Sequence, residues 1–271
     1  MNLEGLDPTI LGPACLAGVL VLSTHVPLGQ HVLARGIIFI DLAIAQIAAL
    51  GVLVAMYFGI DEHGVSVQFA AAAAALLGAA LLTWTERRWP DQQEPLIGTL
   101  FVLAATGGLL VLADNPHGGE HLKELLIGQI LWVSMSQLIP MALLSAVLLV
   151  AMFLLRARLN GLIFYGVFAL AITASVQLVG VYLVFASLIM PALATIGLSG
   201  RKRTLVAYAV GVGGYVIGLA LSAVLDLPSG ALIVWTLAGC GIAARLAFAA
   251  HKLPTGRLDG VAAHGNGRVT R

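Results

Sequence analysis

The chain has 271 residues, 60% of them hydrophobic and only 10% charged, with a mean hydropathy of +1.00. Soluble proteins carry roughly 25% charged residues, so a chain this poor in charge cannot cover a water-facing surface and has to be solvated by lipid. Its net charge of +1 removes any electrostatic argument for nucleic-acid binding, and what remains is an all-α, polytopic bundle of transmembrane helices.

The first apolar run, about residues 9–26, lacks a basic leader and reads as a retained helix rather than a cleaved signal. His25 and His31 flank Pro27 and Gly29 just after it, which predicts that both histidines sit at the membrane interface. The second run covers about residues 36–60 and contains IFIDLAIAQIAALG, with Asp41 and Gln46 inside it. An acidic group at the centre of a bilayer helix costs about 3 kcal/mol even on the mild insertion scale. A mid-depth amide is also costly unless it is hydrogen-bonded. Two readings of Asp41 and Gln46 stay open: polar glue between helices, or the lining of a transport path. On a helix the two lie about 140° apart, so they do not share one face.

The third and fourth runs cover about residues 65–84 and 95–113. The connection DNPHGGEHLKE follows, in which His117 and His121 form an H-x-x-x-H pair beside Asp114 and Glu120. These nitrogen and oxygen donors suit zinc or a similar ion, although a solvated, glycine-containing loop would look the same. His63, next to Asp61 and Glu62, is a weaker instance. A fifth span begins with a half-apolar approach at Leu125 and ends near Leu155.

Residues 161–198 are continuously apolar, too long for one crossing, for which about 20 residues suffice. Pro191 cannot continue an interior hydrogen-bond ladder, so the break is expected in the segment LIMPALA. Gln177 is read as a further buried amide. The last spans cover about residues 204–225 and 230–250, and the tail 252–271 is rich in glycine and polar residues, hence expected to be disordered. The membrane-spanning body is therefore residues 1–251.

Basic residues follow alternate spans: Arg35, Arg87 and Arg88, Arg156 and Arg158, then Arg201, Lys202 and Arg203, and the tail. Acidic residues mark the other connections, from Glu4 and Asp7 to Asp226. The positive-inside rule then predicts a cytoplasmic C-terminus. Strict alternation needs residues 161–198 to cross twice, for nine spans with an extracytoplasmic N-terminus; one span plus a re-entrant piece would give eight. Cys15 and Cys240 both sit in apolar runs far apart in sequence, and are read as small buried residues. There is no G-x-x-x-x-G-K-[ST] phosphate loop, no H-E-x-x-H and no G-x-S-x-G, so the chain lacks the residues for ATP hydrolysis or the common hydrolytic chemistries.

Three stretches together resemble the permease subunits of metal-ion ABC transporters of the zinc, manganese and iron type: SVQLVGVYLVFASLIMPALAT (175–195), LDLPSGALIVW (225–235) and ELLIGQILWVS (124–134). The layout of LGQHVLARGIIFIDLAIAQIAALGV is also similar to the family's turn between its first two helices. The likeness covers about residues 10–250. It implies an ABC importer permease that works as a homodimer and binds no cofactor itself. ATP is held on a separate ATPase subunit, which docks at residues 186–203 with Pro191, Arg201, Lys202 and Arg203. A soluble binding protein is received at the opposite face, and the location is the inner membrane. Asp41, Gln46 and Gln177 become the pathway residues and zinc the foremost cargo, with manganese and iron as alternatives. The family commonly has an Asp-x-x-x-His pair at the start of its second helix. Leu42 and Gln46 stand at those positions, and Asp41 is one residue away, rotated by about 100°. An ATP-independent secondary transporter and a non-transporting membrane scaffold remain as rival readings.

Overall fold

The computed structural model describes residues 8–60, 64–113, 126–156, 158 and 160–250. The cluster of Asp114, His117, Glu120 and His121, together with His63 and the tail 252–271, lies outside the described residues. Among those described there are nine α-helices: α1 (Pro8–Arg35), α2 (Ile40–Tyr57), α3 (Val65–Arg88), α4 (Gln93–Leu112), α5 (Met135–Leu154), α6 (Gly161–Val179), α7 (Val181–Ala194), α8 (Gly200–Leu225) and α9 (Ser229–Ala250). Eight candidate spans are long and apolar enough to cross a bilayer, and α7 is a shorter apolar helix of 14 residues.

Residues 161–198 do turn back on themselves, but the break is at Gly180 and not at Pro191. Gly180 has φ 80 and ψ 162, a conformation open to glycine and strained for other residues. A Cβ there would also collide with the backbone of Ile127 and Gly128, so the turn is pressed against the segment that precedes α5. Pro191 is buried inside α7, which continues through it to Ala194. Its missing N–H costs the one bond to the Ser187 carbonyl, and the Thr195 hydroxyl donates to the Pro191 carbonyl at 3.0 Å.

The first helix shows the same principle and corrects the expected stop near residue 26. α1 runs through Pro27 to Arg35. Proline removes the hydrogen bond that would end on the carbonyl four residues earlier, here that of Ser23. The Tyr208 hydroxyl of α8 donates to that carbonyl at 3.0 Å. His25 is consequently not interfacial: it is fully buried, with Nδ1 2.9 Å from the Val21 carbonyl. His31 is exposed, as expected. Two residues beyond Pro27, a Cβ on Gly29 would strike the Leu188 carbonyl, so α1 and α7 meet backbone to backbone, the close approach that small residues permit in membranes.

Side-chain ties hold the helix ends together. Arg35 donates to Asn160 Oδ1 at 2.8 Å and stacks 4.0 Å from the Phe164 ring centroid, joining α1 to the start of α6. Gln93 Nε2 donates to Leu82 O at 3.0 Å and to Tyr165 Oη at 3.1 Å, and Thr85 donates to Gln93 Oε1 at 3.0 Å. Arg245 reaches the Ile196 carbonyl at 2.8 Å. Arg35 and Arg87 both come to the start of α6 and Arg245 to the turn after α7, and the positive-inside rule assigns such basic ends to the cytoplasm. The aliphatic core fills the centre, from Val21 and Leu22 through Ile40 and Ile44 to Phe168, Ile172 and Leu183.

Tyr208→Phe strands the Ser23 carbonyl in hydrocarbon and is expected to cost about 1 kcal/mol, read as a lower thermal unfolding midpoint in detergent. Gly180→Ala, strained and clashing at once, is expected to lose more, with misassembled protein seen by size-exclusion chromatography.

Candidate functional site

Gln46 is where the bundle opens. A cavity of about 570 Å³ lies between α2, α4, α7 and α9, walled by Leu42 and Gln46, by Phe101 and Ala105, by Phe185, Ala186 and Met190, and by Val234 and Trp235. Gln46 is the only side chain of the wall that carries a carboxamide, and it is only 7% exposed. The wall is otherwise apolar apart from the Tyr182 hydroxyl and the Trp235 indole. Trp235 is 77% exposed and Tyr182 54%, so the mouth of the cavity opens on the lateral surface of the chain.

Asp41 does not line this cavity. α2 begins only at Ile40, so Asp41 stands in its first turn rather than mid-helix, where the positive end of the helix dipole favours a carboxylate by about 0.3–1 kcal/mol. It is 1% exposed, and neither carboxylate oxygen has a hydrogen-bond partner. Because α2 turns about 100° per residue, Leu42 faces the cavity while its neighbour Asp41 faces elsewhere. Gln177 differs from its expected placement too: it is exposed in the last turns of α6, not buried, and does not line the cavity. The turn at Gly180 puts it near the helix end, on the side away from the core.

α7 links this cavity to the basic end. Its residues Val181, Phe185, Ala186 and Met190 form one wall, and its tie to the rest of the bundle is the buried Ser187 hydroxyl, 2.8 Å from Tyr215 Oη of α8. Beyond Ala194 the chain turns into α8, whose first turn carries Arg201 and Lys202 exposed and Arg203 half-buried. A second hollow, about 520 Å³, lies beside that turn and is lined by Met190, Leu193, Ile242, Arg245 and Leu246. At the opposite end a third, about 540 Å³, is lined by Ile10, Gln129, Trp132, Asp226 and Pro228. There Asp226 takes the left-handed conformation (φ 53, ψ 44), and Ser222 Oγ donates to the Leu227 carbonyl at 2.6 Å. Sequence reasoning missed Phe185 and Met190 as cavity residues. Nothing in a uniformly apolar run marks which side of α7 is walled and which is packed.

No group of three or more metal-ligating side chains occurs among the described residues. Cys15 and Cys240 are both free.

The ABC 3 transport family model matches residues 8–166 and 155–247. A "Probable iron transport system membrane protein" of Haemophilus influenzae is 35% identical over 146 residues, which is 46% of this chain and 54% of that protein. A "Probable metal transport system membrane protein" of Chlamydia muridarum is 22% identical over 253 residues, 85% of this chain and 86% of the relative. An uncharacterized membrane protein of Synechocystis is 25% identical over 252 residues, with 85% and 88% covered. Among solved structures, a chain of PsaBC from Streptococcus pneumoniae in complex with Fab superposes with a TM-score of 0.72 at 20% identity, covering 93% of this chain and 100% of that one. At such identity the likeness is one of fold.

The geometry predicts different chemical access to the two α2 residues. In a background with Cys15 and Cys240 replaced by alanine, Gln46→Cys is expected to react with a small, water-soluble thiol reagent. Asp41→Cys is expected to react at least tenfold more slowly, as measured by mass spectrometry.

Proposed function

Since the chain belongs to the ABC 3 transport family, we propose that it is the membrane-spanning subunit of an importer for divalent metal ions, powered by a separate ATPase. As a multi-pass membrane protein of this family it is a transport subunit and not itself an enzyme. In the proposal, two copies face each other across the open mouths of the Gln46 cavities, in the inner membrane, and the cargo passes between them. Zinc remains the foremost cargo, with iron or manganese as alternatives. The names of the Haemophilus and Chlamydia relatives, which speak of iron and metal transport, support the class rather than the ion.

One observation carries this reading: α7 is at once the wall of the cavity and the element that ends at the basic turn. A helix of 14 residues is about 21 Å long, so a push on the turn that joins Ala194 to the basic start of α8 is delivered along α7 to Ala186 and Phe185. An ATPase seated on that turn, with apolar side chains in the hollow of Leu193 and Leu246, would move the wall when it closes. That is alternating access driven from outside the chain. The hollow around Trp132 and Asp226 at the opposite end suits a soluble binding protein that delivers the cargo. Gln46 is proposed as the polar contact of the path. An amide and a leucine are poorer ligands for a bare divalent ion than a carboxylate and an imidazole, so in this proposal the cargo is held weakly in passage.

Three measurements test the proposal. Co-purified with its ATPase and reconstituted, the chain is expected to support ATP-dependent metal accumulation in vesicles. Ala186→Trp, which fills the cavity, is expected to reduce uptake at least tenfold while the complex still assembles. Arg201→Glu with Lys202→Glu is expected to release the ATPase on size-exclusion chromatography. Equal zinc, manganese and iron contents in metal-starved cells with and without the chain would overturn the metal reading.

A further inference from the structure

Fourteen described residues line the cavity around Gln46, and four of them are aromatic (Phe101, Tyr182, Phe185 and Trp235) in a chain that is 7% aromatic. Among these described residues no side chain is charged, and none is a histidine or a cysteine. Their side chains offer two oxygen acceptors, the Gln46 amide and the Tyr182 phenol, together with the soft thioether of Met190. Tyr182 is half-exposed at the mouth, whereas Gln46 is 7% exposed and makes no hydrogen bond to another described residue. Its amide is therefore left for whatever occupies the cavity.

Such a wall suits one form of a divalent metal better than another. A bare ion needs several nitrogen, oxygen or thiolate donors around it, more than one amide and one phenol supply. An ion that keeps its waters turns their hydrogens outward, and leucine, alanine and phenylalanine accept none of them. Charge held against apolar surroundings without compensation is strongly disfavoured. A metal already wrapped by a small organic chelator brings its own donors, and it carries no net charge when the chelator balances the ion. Aromatic chelators also present ring faces and edges, which pack favourably on aromatic side chains. The volume points the same way, since about 570 Å³ lies within the roughly 300–1,000 Å³ of clefts that hold small organic ligands.

We propose that the Gln46 cavity takes divalent metal as a compact, uncharged complex with a small aromatic chelator, and not as a bare or hydrated ion. The rings of Phe101, Phe185 and Trp235 supply its apolar contact, and the Gln46 amide donates to an oxygen of the chelator from the enclosed side. This inference rests on the transport reading above and names the form in which the metal crosses.

Zinc bis(picolinate) is the probe, because it is neutral, compact and water-soluble, with a pyridine ring and a carboxylate on each ligand. The full chain in lipid nanodiscs, without ATPase or nucleotide, is incubated with radiolabelled zinc and a slight excess of tritiated picolinate, and retention by empty nanodiscs is subtracted. It is expected to retain both labels saturably, in the proportion of the intact complex. Ala186→Trp, which fills the cavity, is expected to lower this retention about tenfold, and Gln46→Leu, which removes one hydrogen bond, about fivefold. Zinc given without picolinate is expected to show no bound fraction that Ala186→Trp removes. The proposal is overturned if such a fraction appears, if picolinate alone is held as tightly as the complex, or if the folded wild-type chain retains no complex. Should Ala186→Trp fail to fold, Gln46→Leu decides, and unchanged retention in that variant overturns the proposal. ATP-dependent zinc accumulation in vesicles is a separate readout. A chain that accumulates zinc but binds no complex loses this inference alone, and one that binds the complex but accumulates no metal loses the transport reading.

Discussion

Hydrocarbon offers no hydrogen bonds, so every backbone group this chain takes into the membrane has to be satisfied by the chain itself. That requirement explains where its helices stop and where they do not. Proline, the residue most associated with breaking helices, breaks none of the long ones. At Pro27 the orphaned Ser23 carbonyl is met by a tyrosine hydroxyl from another helix, and α1 runs on to Arg35. The true interruption, at Gly180, is made by a residue whose conformation other amino acids adopt only under strain, and it is packed against Gly128, another glycine with positive φ. Backbone laid against backbone leaves no lipid-facing gap in which a polar group could be stranded.

The consequence of that turn is a short helix with two neighbourhoods. α7 lies against α1 at Gly29 and hydrogen-bonds to α8 through Ser187, while its other face forms the cavity wall. Had the chain broken at Pro191, the cavity would have lost one side and the basic turn would stand apart from it. Continuity between the basic turn and the cavity wall follows from the position of one glycine.

Polar residues within the bundle are sorted by helical phase. Leu42 and Gln46 sit four residues apart and share the face that looks into the cavity. Asp41, one residue earlier, is turned by about 100° and does not line it. The cost of an acid in a membrane helix is moderated here by place: Asp41 occupies a first helical turn, where backbone N–H groups and the helix dipole favour negative charge.

Low charge and long apolar runs were sufficient to read a multi-pass helical bundle, and an interruption within residues 161–198, because these depend on composition and on length against a bilayer. The order of three short stretches was sufficient for the family. What the sequence could not convey is how a carbonyl orphaned by Pro27 is satisfied 185 residues away by Tyr208, why Gln177 lies exposed while Gln46 is enclosed, or that Asp41 is buried without facing the cavity. Each of these depends on which face of one helix meets which face of another. Helices that are apolar all round carry no periodic signal to say so, and only the packed structure chooses.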